Sequence, residues 1–575
     1  MTETIHSQDA LISAAITRLT HGLSPSSIVG AYRDWGAHLA ASPGKQEELR
    51  ERAILQLLRL TSYAAQAVAA EPPPCIEPLP QDSRFRHPAW QRWPYNVLYQ
   101  SFLLQQQWWW YATTGVRGVT KHHEHVVTFM TRQWLDVLSP SNSALTNPEV
   151  TLETLHRGGM NFAEGAANWW EDLSRLLLGA PPAGAEAFRV GDNVAATPGK
   201  VIFRNRLIEL IQYAPQTESV RPEPLLIVPS WIMKYYILDL SAHDSLVRYL
   251  VQQGHTVFMI SWKNPDAEDR DLGMEDYLRL GVMEALDAVS TVVPGAKINA
   301  LGYCLGGTLL AIAAAAMARD GVERLNTATL LAAELDYTEP GELALFIDES
   351  EIAFLEDLMW LRGYLDSKQM AGAFTLLHSR DLIWSKIVRD YLMGQRAPLT
   401  DLMAWNADAT RLPQRMHSEY LRQLYLDNDL AEGKYRVGGS PVALTDIRVP
   451  LFVAGTQRDH VSPWRSVYKA RLLTDTEVTF LLASGGHNVG IVSPPGPSRV
   501  PDRGYQVQTF GAEDKYMAPD AWAAHATKQE GSWWPEWVAW LNAHCGANAA
   551  PPALGAPQHG LAPLYDAPGE YVRAT

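Results

Sequence analysis

Two kinds of apolar patterning divide this chain. Up to about residue 190, apolar positions recur at helical spacing between proline-rich breaks such as Glu71-Pro72-Pro73-Pro74 and Pro181-Pro182. One predicted helix runs from Pro94 to Tyr111. From about 200 onward, short continuous apolar runs take over: Leu225–Val228, Thr256–Ser261, Ala296–Leu301, Thr327–Ala332, Val449–Gly455 and Val478–Leu482. Such runs read as buried strands, and Met274–Val293 and Thr308–Ala318 between them read as helices. Strands alternating with helices imply a parallel sheet with crossover connections. The alternation stops between about 336 and 445, where the chain is mostly helical in pattern and rich in Trp, Tyr, Leu and Met. The expected organisation is a helical N-terminal domain (1–190), an α/β core in two parts (191–335 and 446–545), a helical cap inserted between them (336–445), and an Ala/Pro/Gly-rich extended tail (546–575).

Between the predicted strand ending at Leu301 and the Ala/Leu-rich helix that follows lies Gly302-Tyr303-Cys304-Leu305-Gly306-Gly307. Glycines two before and two after a central residue let a strand and a helix pass closely around a strained turn, the arrangement of a nucleophile elbow. The central residue here is a thiol. A helix beginning just after it favours a thiolate and aims backbone N–H groups at a reacting carbonyl. The competing reading of this window alone is a buried structural cysteine before a glycine-rich turn.

Partners for the thiol stand where an α/β-hydrolase fold would put them, in the chain order nucleophile, acid, base. Asp459 follows the predicted strand 449–455, and His487 follows the strand 478–482 within Ser484-Gly485-Gly486-His487-Asn488. Either alone could be an ordinary loop residue, but three residues in this order, each just beyond a strand, point to one site. His460 is a competing histidine whose place beside the acid suits a supporting role. The oxyanion would be held by the N–H of Leu305 and one from the loop near Trp231 and Ile232, with Ile232 the candidate. A thiolate attacks thioesters readily, and a nearby histidine can hold it deprotonated. The insertion, with Phe354, Leu358, Met359, Trp360 and Trp384, reads as a cap that could gate the thiol.

Composition narrows the setting. With 575 residues, 47% hydrophobic and 19% charged, the chain is globular, and its net charge of −15 argues against a broad nucleic-acid or anionic-lipid surface. Cys75, Cys304 and Cys545 are the only cysteines, so neither a disulfide framework nor a zinc pattern is available, and a reducing cytoplasm is the expected home. No secretory leader is read at the N-terminus, and the small-apolar run Leu309–Ala318 is far short of the roughly 20 residues a membrane span needs. His122 and His125 would share a helix face, but no matching downstream ligands follow, so Lys121–His125 reads as solvated helix surface and no metal is expected. Trp108-Trp109-Trp110 points around a helix, which buries two rings and leaves one as a surface anchor, with contact to an apolar polymer as the functional alternative. Trp533 and Trp534 are a second candidate for such a contact.

Long stretches resemble the polyhydroxyalkanoate synthases, which polymerise (R)-3-hydroxyacyl-CoA. The elbow is similar to that family's G-x-C-x-G-G box. The resemblance extends over Ser139–Asn142, Thr146–Glu149, Asn193–Val201, Glu209–Tyr213, Trp231–Leu240 and Trp405–Thr410, within about 85–495. It implies that Cys304 is the nucleophile, His487 its base and Asp459 the third catalytic residue. It also implies an acyltransferase with no cofactor, the coenzyme A thioester being substrate. The length resembles the synthases that work without a second subunit type, acting as a homodimer at the surface of cytoplasmic polyester granules. Two other readings stand beside it: a Cys-dependent hydrolase or thioesterase on the same fold, and a catalytically idle granule-binding paralogue.

Overall fold

The computed structural model describes residues 23–68, 72–79, 82–367, 369, 379–498 and 500–574. They fall into two compact units. One lies within Thr17–Ala183 and Gly372–Pro398, the other within Gly184–Ala371 and Leu399–Thr575.

The first unit is helical: α1 (Pro25–Ala40), α2 (Pro43–Ala67), α3 (Tyr95–Thr113), α4 (Lys121–Val137), α5 (Pro148–His156) and α6 (Met160–Leu178). Phe85, Trp90, Tyr99, Phe102 and Leu103 form its aromatic core, with Phe85 and Trp90 edge to face at 5.0 Å. Arg84 is held between the buried Asp82 and Asp136, 2.7 Å from each. Asn147 caps α5 by accepting from the N–H groups of Glu149 and Val150, with Pro148 in the first turn where its missing N–H costs nothing. The expected insertion is not one body. Residues 379–398 pack in this helical unit, where Asn161 Nδ2 donates to Leu392 O at 2.7 Å and the Tyr391 hydroxyl donates to Asp172 at 2.8 Å. Gly165 permits the approach, since a Cβ there would lie 1.8 Å from Tyr391 O. Sequence pattern shows where strand alternation ends, but not which core a helical stretch joins.

In the tryptophan run, Trp108 and Trp109 are half-buried and Trp110 is exposed, and Trp108 Nε1 donates to Leu49 O at 3.0 Å. His123 Nδ1 sits 2.6 Å from Asp34 Oδ2, linking α4 to α1. Among the described residues no three His, Cys, Asp or Glu side chains gather into a metal-binding group.

The second unit is built on one large sheet. Its strands are β1 (Gly199–Arg204), β2 (Ile208–Tyr213), β3 (Leu225–Val228), β4 (Val257–Trp262), β5 (Ile298–Tyr303), β6 (Leu325–Leu331), β7 (Leu451–Thr456), β8 (Val478–Ala483), β9 (Gly504–Phe510), β10 (Lys528–Glu530) and β11 (Tyr565–Asp566). Their order is β10-β9-β8-β7-β6-β5-β3-β4-β2-β1-β11. The strands from β4 to β8 pair in parallel, and the flanking strands are antiparallel. The parallel strands are covered on both faces, which is why they appear in sequence as short, mostly apolar runs and not as strict alternation. Helix α7 (Leu305–Arg319), almost wholly buried, follows β5 and starts three residues earlier than its apolar pattern predicts. The expected helix 274–293 contains a π-helical stretch, Tyr277–Met283, where Tyr277 stacks 5.2 Å from Trp262.

The C-terminal residues 546–574, expected as an extended tail, are instead part of this unit. Ala549 bridges to Val220, β11 pairs with β1, and Gln212 binds Ala553 O and Gly555 N through its side-chain amide. The fully buried Glu209 carboxylate accepts from the N–H groups of Glu570 and Tyr571 and from the Tyr565 hydroxyl. Ala, Pro and Gly erase side-chain periodicity, but the backbone of such a segment can still satisfy a buried charge.

Candidate active site

Cys304 occupies the turn between β5 and α7 with φ 52° and ψ −126°, a conformation that costs free energy for any residue with a Cβ. The surrounding glycines make the turn sterically feasible. A Cβ on Gly302 would lie 2.3 Å from Gly307 Cα, one on Gly306 would lie 2.1 Å from Val228 O, and one on Gly307 would lie 2.5 Å from Ala333 Cβ. The elbow is anchored by Cys304 N donating to Leu331 O at 2.8 Å. Its thiol is half-buried.

Asp459 and His487 meet across the ends of β7 and β8, with His487 Nδ1 2.8 Å from Asp459 Oδ2. The other carboxylate oxygen accepts from Val461 N at 2.9 Å and Ser462 N at 2.8 Å. Burial pushes the Asp459 carboxyl up, but the charge and hydrogen bond of His487 and these two N–H groups hold it below its ordinary range. Burial would push His487 down; the charges of Asp459 and Cys304 and the hydrogen bond to Asp459 raise it well above the usual imidazole value. Cys304, His487 and Asp459 are thus brought together as one interacting set. His460 is exposed, while its carbonyl accepts from Glu342 N.

The Leu305 N–H opens α7 and so has no carbonyl partner within that helix. The Ile232 N–H faces Ser230 Oγ at a long 3.4 Å. The loop carrying Ile232 is clamped by residues far away in sequence. Thr410 Oγ1 donates to Trp231 O at 2.6 Å, Trp405 Nε1 donates to Lys234 O at 2.8 Å, and Lys234 Nζ pairs with Asp408 at 2.9 Å. Lys234 also donates to Val572 O in the docked C-terminal segment. Two of the stretches that carry the family resemblance, 231–240 and 405–410, are therefore the two halves of one contact.

Several residues support the site in ways the sequence does not reveal. The loop after His487 is held by two tryptophan rings: Trp533 Nε1 donates to Gly490 O and Trp534 Nε1 to Ile491 O, each at 2.9 Å. Both rings are 1% exposed. They are core residues and cannot serve as the surface contact proposed for them from sequence; apolar bulk there was legible, its direction was not. Glu334 is also buried near the thiol, with its Oε1 lacking any hydrogen-bond partner.

A strained thiol between strand and helix, with acid and base following later strands, defines an α/β-hydrolase-fold enzyme, and a model of that fold matches residues 223–494. A model described as Poly-beta-hydroxybutyrate polymerase (PhaC) N-terminus matches residues 81–250, and one described as Poly-beta-hydroxybutyrate polymerase N terminal matches 4–45. The chain is 42% identical over 506 residues to the poly(3-hydroxyalkanoate) polymerase of Methylorubrum extorquens, covering 87% of this chain and 82% of that one. It is 37% identical over 552 residues to the poly(3-hydroxyalkanoate) polymerase subunit PhaC of Cupriavidus necator, covering 94% and 90%. This chain belongs to the poly(3-hydroxyalkanoate) polymerase family.

Proposed function

We propose that this acyltransferase joins 3-hydroxyacyl units from coenzyme A thioesters into a polyester, with the growing chain carried on Cys304. The observation that carries the reading is the thiol at the strained elbow, in electrostatic contact with a His487–Asp459 pair. His487 holds the proton of the thiol as an imidazolium, and Cys304 Sγ attacks the thioester carbonyl as the thiolate. The C–S bond to coenzyme A breaks, and the departing thiolate leaves with that proton. The carbonyl oxygen becomes an oxyanion held by the N–H groups of Leu305 and Ile232. Elongation follows when the 3-hydroxyl of one unit attacks the thioester carbonyl of another. An ester forms, a C–S bond breaks, and the hydroxyl proton ends on the released thiol. No cofactor enters either step.

Pure protein supplied with (R)-3-hydroxybutyryl-CoA should release coenzyme A and accumulate high-molecular-weight polyester. Release with only the monomeric acid would show a hydrolase, and no release a catalytically idle relative. Cys304→Ala should abolish release in a folded protein, whereas replacing Cys75 or Cys545 should change little; near-normal turnover by Cys304→Ala would overturn the assignment.

The same reading places the enzyme in the cytoplasm at the surface of its own apolar product, as a homodimer. Support for surface attachment comes from the helical unit, which exposes Trp110, Trp134, Trp169 and Trp170 together with Leu176, Leu177 and Leu178. Among the described residues no helix is long and apolar enough to cross a membrane, so adsorption through such side chains is the available mode.

A further inference from the structure

Glu334 lies just beyond the end of β6, pressed against the first turn of α7. Its carbonyl accepts from Thr308 Oγ1 at 2.8 Å, and its neighbour Ala333 fills the space that a Cβ on Gly307 would need. The side chain is 3% exposed, and Oε1 is shut off from water without a hydrogen-bond partner. Buried polar atoms in folded proteins nearly always have partners, and an unpaired one beside a nucleophile calls for a ligand that completes it.

We propose that Glu334 is a specificity-determining residue, whose carboxyl group hydrogen-bonds the oxygen on the third carbon of the acyl chain held at Cys304. The proposal rests on the reading of Cys304 as the acyl carrier. An acyl unit of this kind carries two oxygens. The carbonyl oxygen is assigned to the N–H groups of Leu305 and Ile232, which leaves the oxygen on the third carbon for a further polar group.

The groups that interact with the Glu334 carboxyl are those of the site: Asp459, Cys304 and His487, with Lys469 beyond. Tyr337 and Tyr425, whose rings lie 4.7 Å apart, also sense its charge. The Tyr337 hydroxyl is 3.3 Å from Thr308 Oγ1, on the same side of α7 as the Glu334 carbonyl. Burial, then the negative charges of Asp459 and Cys304, hold this carboxyl well above the ordinary range, against the weaker pull of His487 and Lys469. These influences favour its neutral, protonated form over the carboxylate. It can donate to a hydroxyl or ester oxygen and accept from a hydroxyl.

The test is single-turnover acylation by (R)-3-hydroxybutyryl-CoA and by butyryl-CoA, which lacks the third-carbon oxygen. The quantity read is the ratio of their kcat/KM values in the native protein, Glu334→Gln and Glu334→Leu. Glu334→Leu should lower the ratio roughly tenfold, the loss of one hydrogen bond, whereas Glu334→Gln keeps most of it because the amide still donates. In the native protein the ratio should fall as pH rises and the acid ionises, and in Glu334→Gln that alkaline fall should vanish. An unchanged ratio in Glu334→Leu overturns the proposal while leaving the Cys304 reading intact. If Glu334→Leu does not fold, the same alkaline fall in Glu334→Gln overturns it equally. Failure of the native protein to acylate with either substrate overturns both.

Discussion

The hydroxyl of Tyr303, the residue immediately before the thiol, donates a 2.6 Å hydrogen bond to Asn488 Oδ1, immediately after the imidazole. The Tyr303 ring also lies 5.6 Å from that of His487. The elbow and the loop bearing His487 are tied directly, so their separation does not depend on the sheet alone. Tyr303→Phe removes the tie and leaves the Asn488 amide oxygen without that donor, a cost of about 1–3 kcal/mol. Coenzyme A release should slow by roughly tenfold or more through misplacement of His487, with a lowered melting temperature. Native kinetics in this variant would mean the tie does not set the geometry.

Asp459→Asn should reverse the titration of His487. With the carboxylate present, the imidazole keeps its proton well above its ordinary value of 6.5. It therefore contributes stability that is fully present below that value and lost as pH rises through the higher folded one. Without the carboxylate the largest upward cause is gone and burial pulls the imidazole down. NMR titration of the His487 ring should show a clear downward shift in Asp459→Asn and a smaller one in Cys304→Ala. Asp459 itself acts in the opposite sense, its contribution being present above the ordinary carboxylate range and lost as pH falls through its lowered folded value.

Gly306→Ala should fail for a steric reason. Its Cβ would meet two backbone atoms, Val228 O at 2.1 Å and Pro229 O at 2.6 Å, and neither can swing aside as a side chain would. Relief requires β3 and α7 to separate, which also moves the loop carrying Ile232. A loss of about 3 kcal/mol in chemical denaturation is expected, with activity lost in whatever folds. A native denaturation midpoint would show that the two elements pack less closely in solution.

Trp110→Ser tests attachment to the product. The ring is 54% exposed, so its loss should leave folding and release from soluble substrate nearly unchanged while weakening co-sedimentation with polyester granules. Combining it with Trp134→Ser should add to the effect, since each ring offers on the order of 150–250 Å² for burial. Undiminished co-sedimentation in the double variant would place the attachment surface elsewhere.

The sequence by itself determined the α/β core and the order of its chemical groups. Buried parallel strands must be continuous apolar runs, so Leu225–Val228 and Val478–Leu482 were visible almost to the residue. A strained elbow can be built only with glycines at fixed offsets, which made Cys304 conspicuous. Tertiary structure alone decided what depends on contacts between distant segments. The antiparallel strands β1, β9, β10 and β11 gave no comparable run, because their faces are unevenly covered or their strands are short, and in the fully buried β2 the polar Glu209 and Gln212 interrupt it. Trp533 and Trp534 proved to be supports for the His487 loop, and Glu209 proved to be an anchor for the C-terminal segment. Composition could report that these side chains are large or charged. Only the folded chain could supply the carbonyls and N–H groups that give each its partner, because those groups lie from tens to hundreds of residues away.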